Sequence, residues 1–345
     1  MKRENNIDAL RVLATVMVIA VHVSVYYVVD YKESSSFRFS VGNLYDSFSR
    51  VCVPLFVLLS GRYALSEDKN IDRKYYYRHI FRKIYIPTFI WSFFYLLLSY
   101  FQIFIKYHFT KNLEDIYLPL RGLYEGVPYY HMWYLYMCIG LYLLVPFLIK
   151  IKNKVGEKKF RNIGILFVGI GIGLVLLQEY LIKIGFYNRD DIFRYLKYFL
   201  YLNYFKFINY LGYFILGYSL KDVKISWKKL LVVYFIFSTV IFKLVEDSRD
   251  LIYYNYNLPL VIGGSLALYL AFNSLNIKYD FSKLSKHTFN IYLVHAGVLT
   301  FFILIFKYIL KETPNPLWYI PFAIGGVFAL SFMFSIGLEK LKTKK

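Results

Sequence analysis

NIDALRVLATVMVIAVHVSVYYVV, residues 6–29, is long enough to cross a bilayer and carries Asp8, Arg11 and His22 inside an otherwise apolar run. At about 100° and 1.5 Å per residue, the three share one stripe of a helix that rises about 21 Å from Asp8 to His22. A charged group near the bilayer centre costs about 2.5–3.5 kcal/mol, so such groups face protein or a water-filled cavity and are functional candidates by default. Arg11 also reads as a cation snorkelling to the interface, and His22 as half of an interhelical hydrogen bond. The stripe reading expects Asp8, Arg11, Thr15, Val18 and His22 to line a polar cavity, with Leu13 and Ala20 facing lipid.

The whole chain is of the same kind: 58% of its residues are hydrophobic and 21% aromatic, which excludes an ordinary water-soluble domain. Apolar runs predict an all-α, polytopic bundle of ten spans at about 7–29, 44–65, 84–105, 131–149, 163–182, 199–220, 230–246, 257–273, 288–308 and 318–338. The whole chain, 1–345, reads as one membrane-embedded domain in a cell membrane, and the charged start before residue 12 as part of a permanent first span rather than a cleaved leader. A net charge of +20 would suggest nucleic acid in a soluble protein. Here Lys and Arg concentrate in alternate loops, which excludes nucleic acid as the partner, makes the lipid bilayer the surroundings, and places both termini in the cytoplasm. Two cysteines, Cys52 and Cys138, both inside predicted spans, offer no disulfide framework and no zinc spacing.

Four further stretches carry candidates. In VPLFVLLSGRYAL, Pro54 relaxes the second span, Ser60–Gly61 allows close backbone approach, and Arg62 is expected to snorkel to the interface. Arg50 reads either as a charge facing an outward-open cavity or as a surface cation. Between Lys69 and Lys83, Arg78 and Arg82 stand one helical turn apart with Lys83 beside them. Paired guanidiniums suit the phosphates of a nucleotide-like donor, although a plain positive-inside anchor has the same composition. Glu125, His131 and Trp133 lie near an outer interface, where polar groups and aromatic faces suit a sugar and an aromatic belt is the alternative. In SKLSKHTFNIYLVHAGVL, His295 falls near mid-membrane, where it reads as an interhelical hydrogen bond or as a substrate-binding residue, and Ser285 lies near the inner edge.

Taken together, the Asp8, Arg11, His22 pattern, VPLFVLLSG (53–61), FRKIYIPTFIWS (81–92), HMWYLYMCIGLYLLVPFL (131–148), LGYFILGYSL (211–220) and SKHTFNIYLVH (285–295) resemble acyltransferase family 3, the integral-membrane O-acyltransferases of cell-surface molecules. The resemblance implies transfer of an acyl group, often acetyl, from cytoplasmic acyl-CoA to a hydroxyl of an extracytoplasmic glycan. It maps the family's first-span pair onto Arg11 and His22, and its third-span arginines onto Arg78 and Arg82. Arg62 stands where an apolar residue is usual, and His79 where a basic one is. Without an appended hydrolase-like domain, the chain is expected to act alone or to hand its acyl group to separate glycan-assembly proteins.

On this reading His22 is a general base or a transiently acylated nucleophile. Arg11 binds the donor or stabilises carbonyl charge, held by Asp8. Acyl-CoA is the donor substrate, with no tightly bound cofactor and no metal. A flippase or exporter of a surface polysaccharide is the alternative, the polar line then forming part of a permeation path. A membrane anchor without chemistry of its own is a third reading.

Overall fold

The first helix, α1, runs Asn5–Asp30 in the computed structural model, which describes residues 4–33, 36–111, 115–184, 206–311 and 313–343. Every regular element among these residues is helical. Pro54 shapes the second apolar stretch: it has no N–H to donate, and its ring crowds the carbonyl of Arg50 four residues earlier. The helix breaks there, into α2 (Ser36–Ser49) and α3 (Cys52–Ala64). Pro87 acts likewise on the next stretch. Between α4 (Arg73–Ile80), capped at its start by the Asp72 carboxylate, and α5 (Ile86–Thr110), the turn Phe81–Tyr85 is widened to π geometry. What the sequence suggested as a loop followed by a span is therefore one helical stretch, Arg73–Thr110. The chain continues through α6 (Leu118–Tyr124), α7 (Trp133–Val155), α8 (Glu157–Lys183), α9 (Phe207–Ser219), α10 (Trp227–Ser248), α11 (Pro259–Ser274), α12 (Thr288–Leu304) and α13 (Pro316–Thr343).

Eight helical stretches among the described residues are long and apolar enough to cross a membrane. Of the ten expected, the seventh coincides with α10, whose apolar middle is bracketed by Lys228, Lys229, Lys243, Glu246 and Asp247. The sixth begins outside the described residues, and its remainder is α9.

The described chain groups into two compact units, Met1–Phe56 with Asp222–Lys345, and Val57–Lys221. In the first, α1 packs against α2, α11, α12 and α13. Ile19, Val23 and Tyr27 of α1 meet Ile291 and Leu299 of α12 and Ile320, Ala323 and Val327 of α13. The Tyr27 hydroxyl donates to the Pro314 carbonyl at 2.9 Å, which Arg38 also reaches at 2.8 Å. Because neighbours surround α1, both Thr15 on the polar stripe and Ala20 off it are buried. The expectation that Ala20 faces lipid is thereby corrected: a helix apolar on every side is an interior helix.

In the second unit the backbones of α3 and α9 touch. A Cβ on Gly61 would overlap the Phe214 carbonyl, and one on Gly217 would overlap the Leu58 carbonyl, so the crossing requires glycine on both helices. Arg62 does not snorkel: it is buried, and its Nη1 donates to the Lys221 carbonyl at 3.1 Å, just past the end of α9. Phe89, Phe93, Leu97 and Phe104 form an exposed apolar face on α5, as a helix in lipid presents. Cys52 and Cys138 are free and buried, the small core residues their positions suggested.

Candidate active site

In the first unit, the middle of α1 brings His22 against His295 of α12. The two imidazoles stack with centroids 5.3 Å apart and planes at 28°. His295 is fully buried, and its Nδ1 lies 2.6 Å from the Tyr292 carbonyl. A carbonyl only accepts, so Nδ1 carries the proton, and in the neutral ring Nε2 is the acceptor nitrogen. His22 is half-buried and lines a small cavity with Tyr26, Leu299 and Tyr319.

Arg50 stands within electrostatic reach of His22, at the break between α2 and α3. The break turns its side chain inward rather than to a surface. Its guanidinium pairs with buried Asp46, one turn earlier, and lies over the Tyr254 ring at 4.2 Å and the Tyr256 ring at 5.8 Å. Behind it the Tyr254 hydroxyl donates to Asn43 at 2.6 Å, and Asn43 donates to Glu246 at 3.0 Å. A buried cation needs a counter-charge and satisfied donors, and Asp46 with this polar surround supplies them.

Near the start of α1, Asp8 and Arg11 form the expected pair at 3.3 Å, with a third member. Ser285 donates to Asp8 Oδ1 at 2.5 Å and accepts from Arg11 Nη1 at 2.9 Å. The triangle ties the first turns of α1 to the single turn Ser282–Ser285 that precedes α12. About a quarter of the Arg11 side chain stays exposed, at 27%.

In the second unit, Arg78, Arg82 and Lys83 line a hollow of about 440 Å³ together with Lys74, His79 and Asp72. Asp72 is occupied by the backbone N–H groups of Lys74 and Tyr75, at 2.9 and 3.3 Å, so its charge is partly committed to the α4 cap. The hollow is thus strongly cationic, and its volume and donors suit phosphate groups. The His79 ring stacks on Tyr75, with centroids 6.2 Å apart.

His131 is buried in an aromatic nest rather than open at an interface. Its ring meets Tyr95 edge-on at 4.7 Å and lies near Tyr129 and Tyr130, at 5.9 and 5.6 Å. Trp133 is half-buried, with Lys206 Nζ 5.2 Å from its ring centre. Glu125 pairs with Arg121 at 2.9 Å on the surface of α6 and its cap. The three expected acceptor residues therefore have separate local partners.

Two partnerships escaped notice in the sequence. Asp46 had a local signal, since an acid four residues before Arg50 is a helical ion-pair spacing. Ser285 had none as a partner for Asp8, because 277 positions separate them.

No curated protein and no solved structure matches the chain. The family model described as an acyltransferase domain matches residues 4–336, which include the α1 stripe, the cationic hollow and the His295 helix. The eight apolar helices and this match describe a multi-pass membrane protein, and the chain belongs to acyltransferase family 3.

Proposed function

We propose that the protein is an O-acyltransferase of the cell membrane, moving an acyl group from cytoplasmic acyl-CoA to a hydroxyl of an extracytoplasmic glycan. The observation that carries this reading is the imidazole of His22, half-buried against His295 with a fixed cation, Arg50, in electrostatic reach. That is the equipment of base-assisted attack on a carbonyl. The reading includes ten spans with both termini inside, for which the bias of Lys and Arg among the loops is the support.

In the proposed step, neutral His22 takes the proton of the acceptor hydroxyl as its oxygen attacks the thioester carbonyl carbon. Negative charge collects on the carbonyl oxygen, where Arg50 stabilises it. Collapse breaks the C–S bond, and the departing thiolate takes the proton from the imidazolium, which restores neutral His22. Arg11 has a different part, because eleven residues of helix place it about 16 Å from His22 along the axis. It holds the donor, oriented by Asp8 and Ser285. Arg78, Arg82 and Lys83 bind the donor's phosphates, and His131, Trp133 and Glu125 are the acceptor-side candidates.

The test is label transfer. Purified protein in lipid vesicles, given acetyl-CoA labelled in the acetyl group and a hydroxyl-bearing glycan, should place label on the glycan, and the His22→Ala protein should not. Absence of transfer from the wild-type protein to a panel of glycans, or full transfer by His22→Ala, would overturn the reading.

A further inference from the structure

We infer that the cationic hollow on α4 is a nucleotide site in which Tyr75 and His79 supply the face for a stacked base. This rests on the acyl-CoA reading and adds the residues that recognise the donor's adenine. Tyr75, Arg78, His79 and Arg82 stand at i, i+3, i+4 and i+7, so rings and guanidiniums alternate along one stripe of a helix. Tyr76 and Ile80, turned away from that stripe, are buried, and the Tyr77 hydroxyl donates to the Leu143 carbonyl of α7 at 2.9 Å. Packing on that side keeps the stripe outward.

The Tyr75 and His79 rings lie nearly parallel, at 16°, with centroids 6.2 Å apart, and Tyr75 is 44% exposed. Both border the hollow of about 440 Å³. That volume falls within the range of small-ligand sites, roughly 300–1,000 Å³.

The rings separate a nucleotide from other anions. A lipid headgroup or an inorganic phosphate is held by Lys74, Arg78, Arg82 and Lys83 alone, and makes no use of an aromatic face. A nucleotide uses both chemistries. Its phosphates take the guanidiniums and ammoniums, and its base stacks on the aromatic rings, where arginine planes can add to the contact.

The experiment measures equilibrium binding of two probes to the full-length protein in phosphatidylcholine nanodiscs. Adenosine 3′,5′-bisphosphate carries the base and phosphates of CoA with no acyl group, and inorganic pyrophosphate carries phosphates with no base. Wild-type protein should bind the nucleotide at least about tenfold more tightly than pyrophosphate. Tyr75→Ala, at an exposed position that leaves the packed side of α4 intact, should weaken nucleotide binding by about 5- to 150-fold, the loss of one base–aromatic stack. It should leave pyrophosphate binding unchanged. Tyr75→Phe, which keeps the ring, should bind both probes as the wild type does. Equal affinity of the wild type for the two probes, an equal loss of both in Tyr75→Ala, or a loss in Tyr75→Phe as large as in Tyr75→Ala would each overturn the inference. So would loss of nucleotide binding in phosphatidylglycerol nanodiscs, which would make the hollow a lipid-headgroup site. Neither probe can donate an acyl group, so nucleotide binding as expected without label transfer from acetyl-CoA would overturn the acyl-transfer reading instead.

Discussion

His22 and His295, drawn from α1 and α12, stack with centroids 5.3 Å apart, and the backbone carbonyl of Tyr292 fixes the tautomer of the second ring. The stack sets the His22 imidazole against a second ring from a different helix. His22→Ala should lower acyl transfer by about 10²- to 10⁴-fold while the protein accumulates normally. His295→Ala should lower it less, and the double variant should fall no further than His22→Ala, since the residues act as one unit. Additive losses would mean that the two rings work independently.

How much of this was legible in the sequence follows from distance along the chain. The α1 stripe, the relaxation at Pro54 and the close approach at Gly61 are local consequences of period, ring chemistry and a missing Cβ, and all three appear in the fold. The His22–His295 stack and the Ser285 bridge depend on helices far apart in sequence, for which one chain carries no signal. Arg62 was misread for the same reason: its acceptor, the Lys221 carbonyl, is 159 positions away, and nothing near Arg62 hints at it. The facing of α1 was misjudged because a period of 3.6 separates two sides of a helix only when one side meets solvent or lipid.

The cationic hollow predicts where donor affinity resides. Replacing both Arg78 and Arg82 with Gln removes two guanidiniums from a site whose remaining cations are Lys74 and Lys83, apart from His79. Equilibrium binding of acyl-CoA to the purified protein should weaken at least about tenfold, as expected for losing a charge-assisted phosphate contact. Wild-type affinity should fall with added salt, and the double variant should show the shallower slope. Unchanged affinity would return the pair to the role of topology anchors.

Gly61 and Gly217 make opposite predictions from Gly169. Alanine at either of the first two drives a methyl into a backbone carbonyl of the facing helix, where no side chain can rotate aside. Each should destabilise the protein by about 1–3 kcal/mol or more, seen as a lower unfolding temperature in detergent. At Gly169 of α8 an added Cβ meets nothing within 4 Å, so alanine there should stabilise by about 0.5–1 kcal/mol through helix propensity. Equal tolerance at all three positions would mean that α3 and α9 do not cross in contact.

The last prediction concerns pH and His287, which precedes the spanning stretch Thr288–Leu310. Its Nδ1 lies 2.8 Å from Ser335 Oγ and its Nε2 3.4 Å from Glu339. Burial lowers its pKa below the ordinary histidine value, and the nearby Lys286 charge adds to this, while Glu339 opposes it. The folded protein therefore binds a proton at this ring less readily than the unfolded chain does. Stability from this group is present at neutral pH and is lost as pH falls through the ordinary histidine range near about 6.5 toward the lowered value. Thermal unfolding at pH 7.5 and pH 5 should show a larger acid-induced drop for the wild type than for His287→Asn, which keeps a polar group for Ser335 but cannot take up the proton. The other titrating groups are common to both proteins and cancel in the comparison. A larger drop in His287→Asn would mean that the Glu339 ion pair outweighs burial and that acid strengthens this end of α13.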